Sequence, residues 1–440
     1  MWFRRDLRLQ DNPALVEAAE QDRQVLGLFV LDPALIKPSG APRLAILYRT
    51  LRALDQQLEG RLIVRQGKPE AVLPKLCKEA GANAVFCAGD FGPYGRQRDD
   101  RVAEALGGIE LHRVGSPYAV PPGKIRNGDN DGFKVYSAFY RRWKERGWPD
   151  PVRSVRPEWT AARTDAVPAD PKLPPGLQLP AVGEAAARRH WREWLEQGLS
   201  GYSDDRNRPD RDTTSRMSVH LKWGTIHPRT MLADLKPQHE TYRRELAWRE
   251  FYADVLFRRP ETAHRYYHPE FAKLPYATGD TARDRFQAWQ HGRTGYPIVD
   301  AGMRQLLREG WMHNRVRMIV GSFLVKDLHL EWTDGARHFL NHLIDGDLAS
   351  NNHNWQWVAG SGTDASPFYR IFNPVLQGKK FDPNGDYVRK FVPELRELDG
   401  KHIHEPWRCP DGVPDGYPEP IVDHDAERKA SLEDYQKMKR

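Results

Sequence analysis

Strand–helix alternation over residues 1–115 limits what this chain can fold into more than any other feature. Apolar, strand-like runs recur at 25–31, 62–65, 84–88 and 111–114, with Trp2 and Phe3 ending an earlier one. Helical patterns lie between them, near 13–20, 43–58, 69–80 and 97–106. Short connections between alternating strands and helices force parallel crossovers, so the segment predicts a doubly wound parallel sheet. No GxGxxG follows the first strand, so the common dinucleotide fingerprint is absent from this half.

From about 116 to 190 the texture changes. Prolines crowd the stretch (Pro117, Pro121, Pro122, Pro149, Pro151 and Pro157 among them), which suits an extended linker, with one helical piece at 133–146. Beyond it the pattern is mostly helical, near 183–197, 241–257, 281–291, 297–309, 312–328 and 333–343. The charged end, 422–440, reads as a frayed tail or a surface helix. The expected fold class is therefore α/β plus all-α. Its parts are an N-terminal doubly wound parallel-sheet domain at 1–118, a linker at 119–188 and a helical domain at 189–440. A length of 440 residues, more than one core usually serves, agrees with two domains.

The net charge of +7 and a pI near 9.1 favour an anionic partner, with nucleic acid first. Fourteen tryptophans raise the expectation of a planar ligand. No apolar run reaches the roughly eighteen residues of a spanning helix, and the start, MWFRRDLRL, lacks a secretory pattern. Cys77, Cys87 and Cys409 form no CxxC, so they read as ordinary intracellular thiols. A soluble, cytoplasmic protein is expected.

Four constellations carry chemistry. In ELAWREFY, Glu245, Trp248, Arg249 and Tyr252 fall at i, i+3, i+4 and i+7, one face of a helix. That face suits a flat, hydrogen-bonding ligand near a phosphate, or else a plain amphipathic surface. In WMHNRVRM, Asn314, Arg317 and Met318 share a face while Arg315 points about 100° away. Arg317 suits a carboxylate or ligand and Arg315 a phosphate, or both are simply solvated. In residues 201–224, Arg206, Arg208, Arg211 and Arg216 accompany a Thr-Thr-Ser helix start, which suits a diphosphate or is merely a capped loop. The richest stretch is 341–374, with Asp345, Asp347, Asn351, Asn352, Asn354, Asn373 and a Trp-Gln-Trp triplet. Its polar groups look placed for a ligand with many donors and acceptors. Asn351 can meet a ring nitrogen in either protonation state. Trp355 and Trp357, two apart, face different ways and invite separate roles. The sixteen histidines form no HExxH or Cys/His cluster, so no metal is expected, and no GxSxG elbow appears.

Taken together, the motifs resemble the photolyase/cryptochrome family over essentially the full length. They run in order: WFRRDLRLQDN at the start, TSRMS at 214–218, ELAWREFY at 245–252, GRTGYPIVDAGMRQL at 292–306, GWMHNRVRM at 310–318 and IDGDLASNNHNWQW at 344–357. Within the family the chain is most similar to bacterial class I cyclobutane pyrimidine dimer photolyases. The resemblance implies an N-terminal antenna-binding domain, a C-terminal domain that binds FAD and DNA, and light-driven repair of pyrimidine dimers in DNA by a lyase acting as a monomer, with no membrane involved. It implies that Tyr202 and Thr214, Ser215, Arg216, Met217 and Ser218 hold FAD, the latter five at its diphosphate. Arg317 and Asp345 pair beside the flavin, Gly346 and Asp347 touch it, and Asn351 faces its N5. Glu245 bonds the dimer's base edges, Trp248 and Trp357 flank it, and Asn314 and Met318 line its pocket. Arg206, Arg249 and Arg315 contact DNA.

The run AGDFGPYGRQRD at 88–99 resembles the antenna site of deazaflavin-binding relatives. Arg43, Asp90, Arg98 and Lys222 match positions that hold 8-hydroxy-5-deazaflavin there; FMN, or no second pigment, is the alternative. Trp355 and Trp332 match the inner and middle members of the family's photoreduction relay. The outer tryptophan is replaced by Tyr276, and Tyr276 or another nearby aromatic is expected as terminal donor. The competing readings are a cryptochrome-like photoreceptor, which often carries a long extra tail and lacks Trp357 or Asn351, and a (6-4) photolyase, which needs paired active-site histidines. His353 reads as a loop variant near the site.

Overall fold

Strand pairing in the first half is parallel throughout the described residues. In a computed structural model, which describes residues 1–364 and 369–440, β1 (Trp2–Phe3), β3 (Gly27–Leu31) and β4 (Leu62–Gln66) lie in the order β1-β3-β4. β5 (Ala84–Cys87) pairs with β6 (Glu110–Arg113), and β2 (Gln24–Val25) with β7 (Glu158–Trp159). The expected single run at 25–31 is broken. Val25 pairs with Trp159, far along the chain, while β3 pairs with β1 and β4.

The period of two explains why these strands read as unbroken apolar runs. Trp2, Leu28, Val30, Ile63 and Val85 enter one core. Their neighbours Phe3, Phe29, Leu31, Leu62, Val64 and Phe86 enter another. Both faces of the strands are covered by helices, so neither can be polar.

Contacts divide the chain into two compact units. One holds Met1–Leu173, Pro180–Ser200 and Ser215–Pro260; the other holds Pro174–Leu179, Gly201–Thr214 and Glu261–Arg440. This division does not follow the expected boundaries at 118 and 188. The reason lies in the proline-rich stretch, whose first part is packed rather than extended. Glu250, on the helix α2 (Glu240–Arg258), accepts from Ala119 N at 2.5 Å, Val120 N at 3.0 Å and Trp143 Nε1 at 2.6 Å. Trp143 belongs to α1 (Tyr136–Arg146), and Asp254 of α2 accepts from Gly123 N at 2.6 Å. A buried carboxylate with three N–H donors is satisfied without a cation. Gly224 ends the helix Ser218–Trp223 in a left-handed turn (φ +64°), where a Cβ would lie 1.9 Å from Arg5 O. Only glycine lets that backbone lie against the first strand's exit.

The second unit is helical. Its large core gathers α3 (Asn314–Lys326), α4 (Trp332–His342), α5 (Leu348–Ala359) and the helix Pro297–Glu309. The end of the chain forms a helix, His424–Lys439, capped by Asp423. Sequence patterning missed α5, because polar residues cover the face it buries: Asn351, Asn352, His353 and Gln356 are all buried.

His353 therefore sits in a helix, not in a loop. Its Nδ1–H donates to Ala349 O at 2.8 Å, and its Nε2 accepts from Thr262 Oγ1 at 2.9 Å. Burial lowers its pKa from 6.5 to about 4. Between those values the unfolded chain takes a proton that the folded one refuses. The stabilisation is thus complete above pH 6.5 and is lost as pH falls toward 4. Urea unfolding should show stability dropping across that window, this residue contributing up to ~3 kcal/mol. His353→Gln should lose less stability on acidification than the parent.

Candidate functional site

In the first unit the site residues centre on α2. Trp248 lies flat on Tyr136 of α1, ring centroids 3.6 Å apart and planes within 10°. Tyr136 Oη donates to Arg244 O at 2.7 Å, which fixes the ring. Burial, and next the field of the Glu245 carboxylate, raise the Tyr136 phenol's pKa. Glu245 and Trp248 are both half-buried, one helical turn apart. Tyr136 had no signal in the sequence, because its partner lies over a hundred residues away. The other two members of the predicted face turn inward. Tyr252 is buried against Trp248 at 5.4 Å. Arg249 donates to Pro117 O at 2.9 Å and Leu221 O at 3.2 Å, its guanidinium 4.6 Å from the Tyr118 ring. This engagement argues against the DNA contact expected of Arg249.

Residues 212–218 form a strained turn. Asp212 (φ 45°) and Arg216 (φ 49°) are left-handed, uncommon for such side chains. Between them, the Thr214 hydroxyl is buried with no partner among the described residues. Ser215 Oγ lies 2.8 Å from Tyr242 Oη, and Met217 N donates to Ser215 Oγ at 3.4 Å. Ser218 then opens its short helix.

In the second unit, Arg317 on α3 pairs with Asp345 at 2.9 Å, while its Nε donates to Met312 O at 2.8 Å. Gly346 is buried, and Asp347 caps α5 by accepting from Ser350 N at 3.1 Å. Asn351 Nδ2 donates to Ala336 O at 3.1 Å and Asn352 Oδ1 at 2.9 Å. Both partners are acceptors, so the amide orientation is settled by the network and Asn351 offers a ligand its oxygen. The two-way choice left by the sequence is thereby narrowed to an acceptor.

The other asparagines of 341–374 serve the fold rather than a ligand. Asn352 donates to Ala263 O at 2.6 Å, Asn354 is exposed and bonds Ser350 O at 2.8 Å, and Asn373 caps the helix Pro374–Phe381. Residues 365–368 of that stretch lie outside the described ones. Trp355 is buried, edge-on to Phe339 at 5.0 Å and Trp289 at 6.1 Å. Trp357 is half-buried and donates to Asp364 O at 3.0 Å. The two indoles thus have different protein neighbours. Asn314 is exposed at the start of α3, and Met318 is half-buried one turn on.

Positive charge collects in this unit. Arg315 donates to Asn207 Oδ1 at 2.8 Å and lies over the Phe381 ring at 4.4 Å. Burial, then the fields of Arg206 and Arg370, push its pKa down. Like charges held this close favour an arriving anion. Arg370 was not picked out from the sequence. Tyr202 is buried, 5.8 Å from the Arg206 guanidinium. Trp332 is buried, and Tyr276 is half-buried with its Oη 2.8 Å from Tyr266 Oη.

Back in the first unit, two of the four residues expected at the antenna, Asp90 and Arg98, pair with each other. Arg98 bonds Asp90 at 3.2 Å and Asp99 at 2.8 Å, and Asp99 also pairs with Arg4. Trp2 lies between Arg4 at 4.6 Å and Arg98 at 5.0 Å. Burial works to raise the Asp90 carboxyl, but Arg98, Arg4 and Arg5 outweigh it and hold its pKa below the ordinary value. Arg43 donates to Ser39 Oγ at 3.3 Å, and Lys222 Nζ sits 5.7 Å from the Trp223 ring. No group of three metal-ligating side chains occurs among the described residues, nor is any described helix long and apolar enough to cross a membrane.

Residues 1–158 match the DNA photolyase family, and residues 242–437 match the FAD binding domain of DNA photolyase. The chain is 42% identical to the deoxyribodipyrimidine photo-lyase of Streptomyces griseus, over 98% of this chain and 97% of that one. Its fold is similar to a bacterial class III photolyase from Agrobacterium tumefaciens (TM-score 0.91, 36% identity, 100% and 97% of the two chains). It is also similar to an archaeal photolyase from Sulfolobus tokodaii described with two FAD molecules (TM-score 0.87, 29% identity, 99% of each chain). The chain belongs to the DNA photolyase family.

The residues present fit FAD. The orphaned Thr214 hydroxyl and the strained turn around it supply polar contacts of the kind a diphosphate needs. Asn351 Oδ1 is an acceptor for a ring N–H, and the Arg317–Asp345 pair supplies both signs of charge.

The Trp248–Tyr136 stack can be tested on its own. Tyr136→Phe should keep the rings together and lose only the bond to Arg244 O, costing ~1 kcal/mol in urea unfolding. Tyr136→Leu should also lose the aromatic pairing, a further ~1 kcal/mol. Equal losses would show that the stacking contributes nothing.

Proposed function

We propose that this chain is a deoxyribodipyrimidine photo-lyase, which repairs cyclobutane pyrimidine dimers in DNA when light is absorbed. The observation that carries the reading is the half-buried Glu245–Trp248 pair on α2, with Trp248 held flat against Tyr136. Bound and fully reduced, FAD supplies on excitation the electron that opens the cyclobutane ring and takes it back afterwards, so there is no net redox change and the reaction is that of a lyase.

The protein's part is binding, orientation and charge. Tyr202, Thr214, Ser215, Arg216, Met217 and Ser218 hold the nucleotide. Arg317, Asp345, Gly346 and Asp347 fix the ring system, with Asn351 accepting from its N5–H. Trp248, rigid on Tyr136, and Trp357 present apolar walls to the flipped dimer, with Asn314 and Met318 lining the pocket. A dimer stacks and pairs poorly, so extruding it costs less than extruding intact bases. Glu245 hydrogen-bonds the base edges and steadies the radical anion until the carbon–carbon bonds break. Arg206 and Arg315 meet phosphates, so affinity falls with salt. Trp355, Trp332 and a tyrosine return the flavin to its reduced state.

In this reading residues 1–118 house a second pigment, 119–188 connect, and 189–440 hold FAD and DNA; the chain works as a monomer in the cytoplasm. The motifs favour the class I, deazaflavin-antenna type, with Arg43, Asp90, Arg98 and Lys222 at the pigment. The neighbour from A. tumefaciens is described as class III and that from S. tokodaii as holding two FAD molecules, so a flavin in the second site is the alternative. Mass spectrometry of released chromophores separates these. The (6-4) reading has less support, since His353 is engaged with Thr262 and Ala349, and the photoreceptor reading has less because Trp357 and Asn351 are both present.

Incubation of FAD-loaded, chemically reduced protein with irradiated DNA should remove dimers in the light and not in the dark. No loss of dimers in the light refutes the proposal. Glu245→Ala should retain FAD while the repair yield per photon falls about tenfold, as loss of a hydrogen bond to a charged group worth ~1.5 kcal/mol predicts.

A further inference from the structure

Resting on the electron-relay reading above, we propose that Tyr266 is the terminal donor to Trp332 and that Glu331 is the base that receives its proton. Tyr276, which the sequence put in that place, becomes a positioning residue.

Trp332 is 1% exposed, and its aromatic neighbour among the described residues is Tyr266, centroids 6.0 Å apart at 77°. Trp332 Nε1 is buried and has no acceptor among the described residues. An indole radical cation formed there keeps its N–H proton and stays a strong oxidant. The hole is then passed on rather than quenched by deprotonation.

Tyr266 is half-buried at the edge of the core, in a stretch with no motif. A phenol gives up an electron readily only when its proton leaves too. The Tyr266 hydroxyl donates to Tyr276 Oη at 2.8 Å, and the Glu331 carboxylate lies near enough for its charge to act on the phenol. Tyr276 is a weak base and donates onward to Phe271 O at 3.3 Å, whereas Glu331 is a carboxylate. Burial, and after it the Tyr276 and Glu331 contacts, raise the pKa of Tyr266, so at rest the phenol is protonated. Glu331 directly precedes Trp332, at the N-cap of α4, so base and oxidant flank the phenol from one turn of chain.

The step balances. One electron moves from Tyr266 to the Trp332 radical cation and restores the neutral indole. The Oη–H bond breaks, the proton forms a carboxylic acid on Glu331, and a neutral phenoxyl radical remains on Tyr266. The ultimate electron acceptor is photoexcited oxidised flavin. An external one-electron reductant, such as a thiolate, later reduces the phenoxyl radical while Glu331 returns its proton to Tyr266 Oη.

The test uses flavin-loaded, oxidised protein, with transient absorption and EPR after a light pulse. The parent should give a tyrosyl radical that forms more slowly in D2O. Tyr266→Phe should lose that signal and leave the Trp332 radical to recombine. Glu331→Gln, which keeps both rings in place, should slow tyrosyl formation severalfold; Tyr276→Phe should retain the signal. A tyrosyl radical that survives Tyr266→Phe, or is lost in Tyr276→Phe, overturns the assignment of donor. Formation at the parent rate in Glu331→Gln overturns the assignment of base. Trp332→Phe separates the two levels: unchanged radical yield there sinks the relay itself, whereas loss there with an unaltered Tyr266→Phe signal sinks only this proposal.

Discussion

A polar seam along α5 holds the second unit's functional residues in place. Gln356 accepts from Tyr267 N at 2.6 Å and donates to Thr262 O at 3.0 Å and Arg265 O at 3.2 Å. Asn352 reaches Ala263 O and His353 reaches Thr262. Apart from the His353 bond, these side chains meet backbone groups of residues 262–267, where an unmade buried bond would be costly. The seam fixes both elements it joins. On one side it orients Asn351, Trp355 and Trp357; on the other it sets Tyr266 beside Trp332. Close approach completes the arrangement: a Cβ on Gly335 of α4 would lie 2.2 Å from Trp355 Cη2.

The first unit uses the same device with an acid. Glu250 gathers two backbone amides and an indole N–H from the segments α2 rests on, so α1 is pressed against it. That packing brings Tyr136 under Trp248. Five residues separate the structural Glu250 from Glu245 on one helix, yet burial divides their roles. Glu250 is 1% exposed and its hydrogen bonds are filled from within, while Glu245 remains half-buried beside an aromatic wall.

Charge is handled differently in the two units. Around Trp2 the guanidinium and carboxylate groups neutralise each other by direct pairing. Around Arg315, burial and the fields of Arg206 and Arg370 disfavour its charge instead.

The sequence alone determined the parallel α/β beginning, the helical remainder and the residue types of the site. Period-two and period-3.6 patterns and short motifs are local, and locality is what a single chain displays. Its motifs carried Arg317, Asp345, Asn351, Glu245 and Trp248 as site candidates. Tertiary structure decided which polar residues face a ligand and which hold the fold. Asn352, His353 and Gln356 look as functional as Asn351 in the sequence, yet their partners lie some ninety residues upstream. Arg249 reads as a phosphate contact in the sequence, while in the fold two of its N–H groups go to backbone carbonyls. Tyr136 and Tyr266 carried no motif at all, because a stacking partner or a proton acceptor is defined by distance in space, which only the packed chain sets.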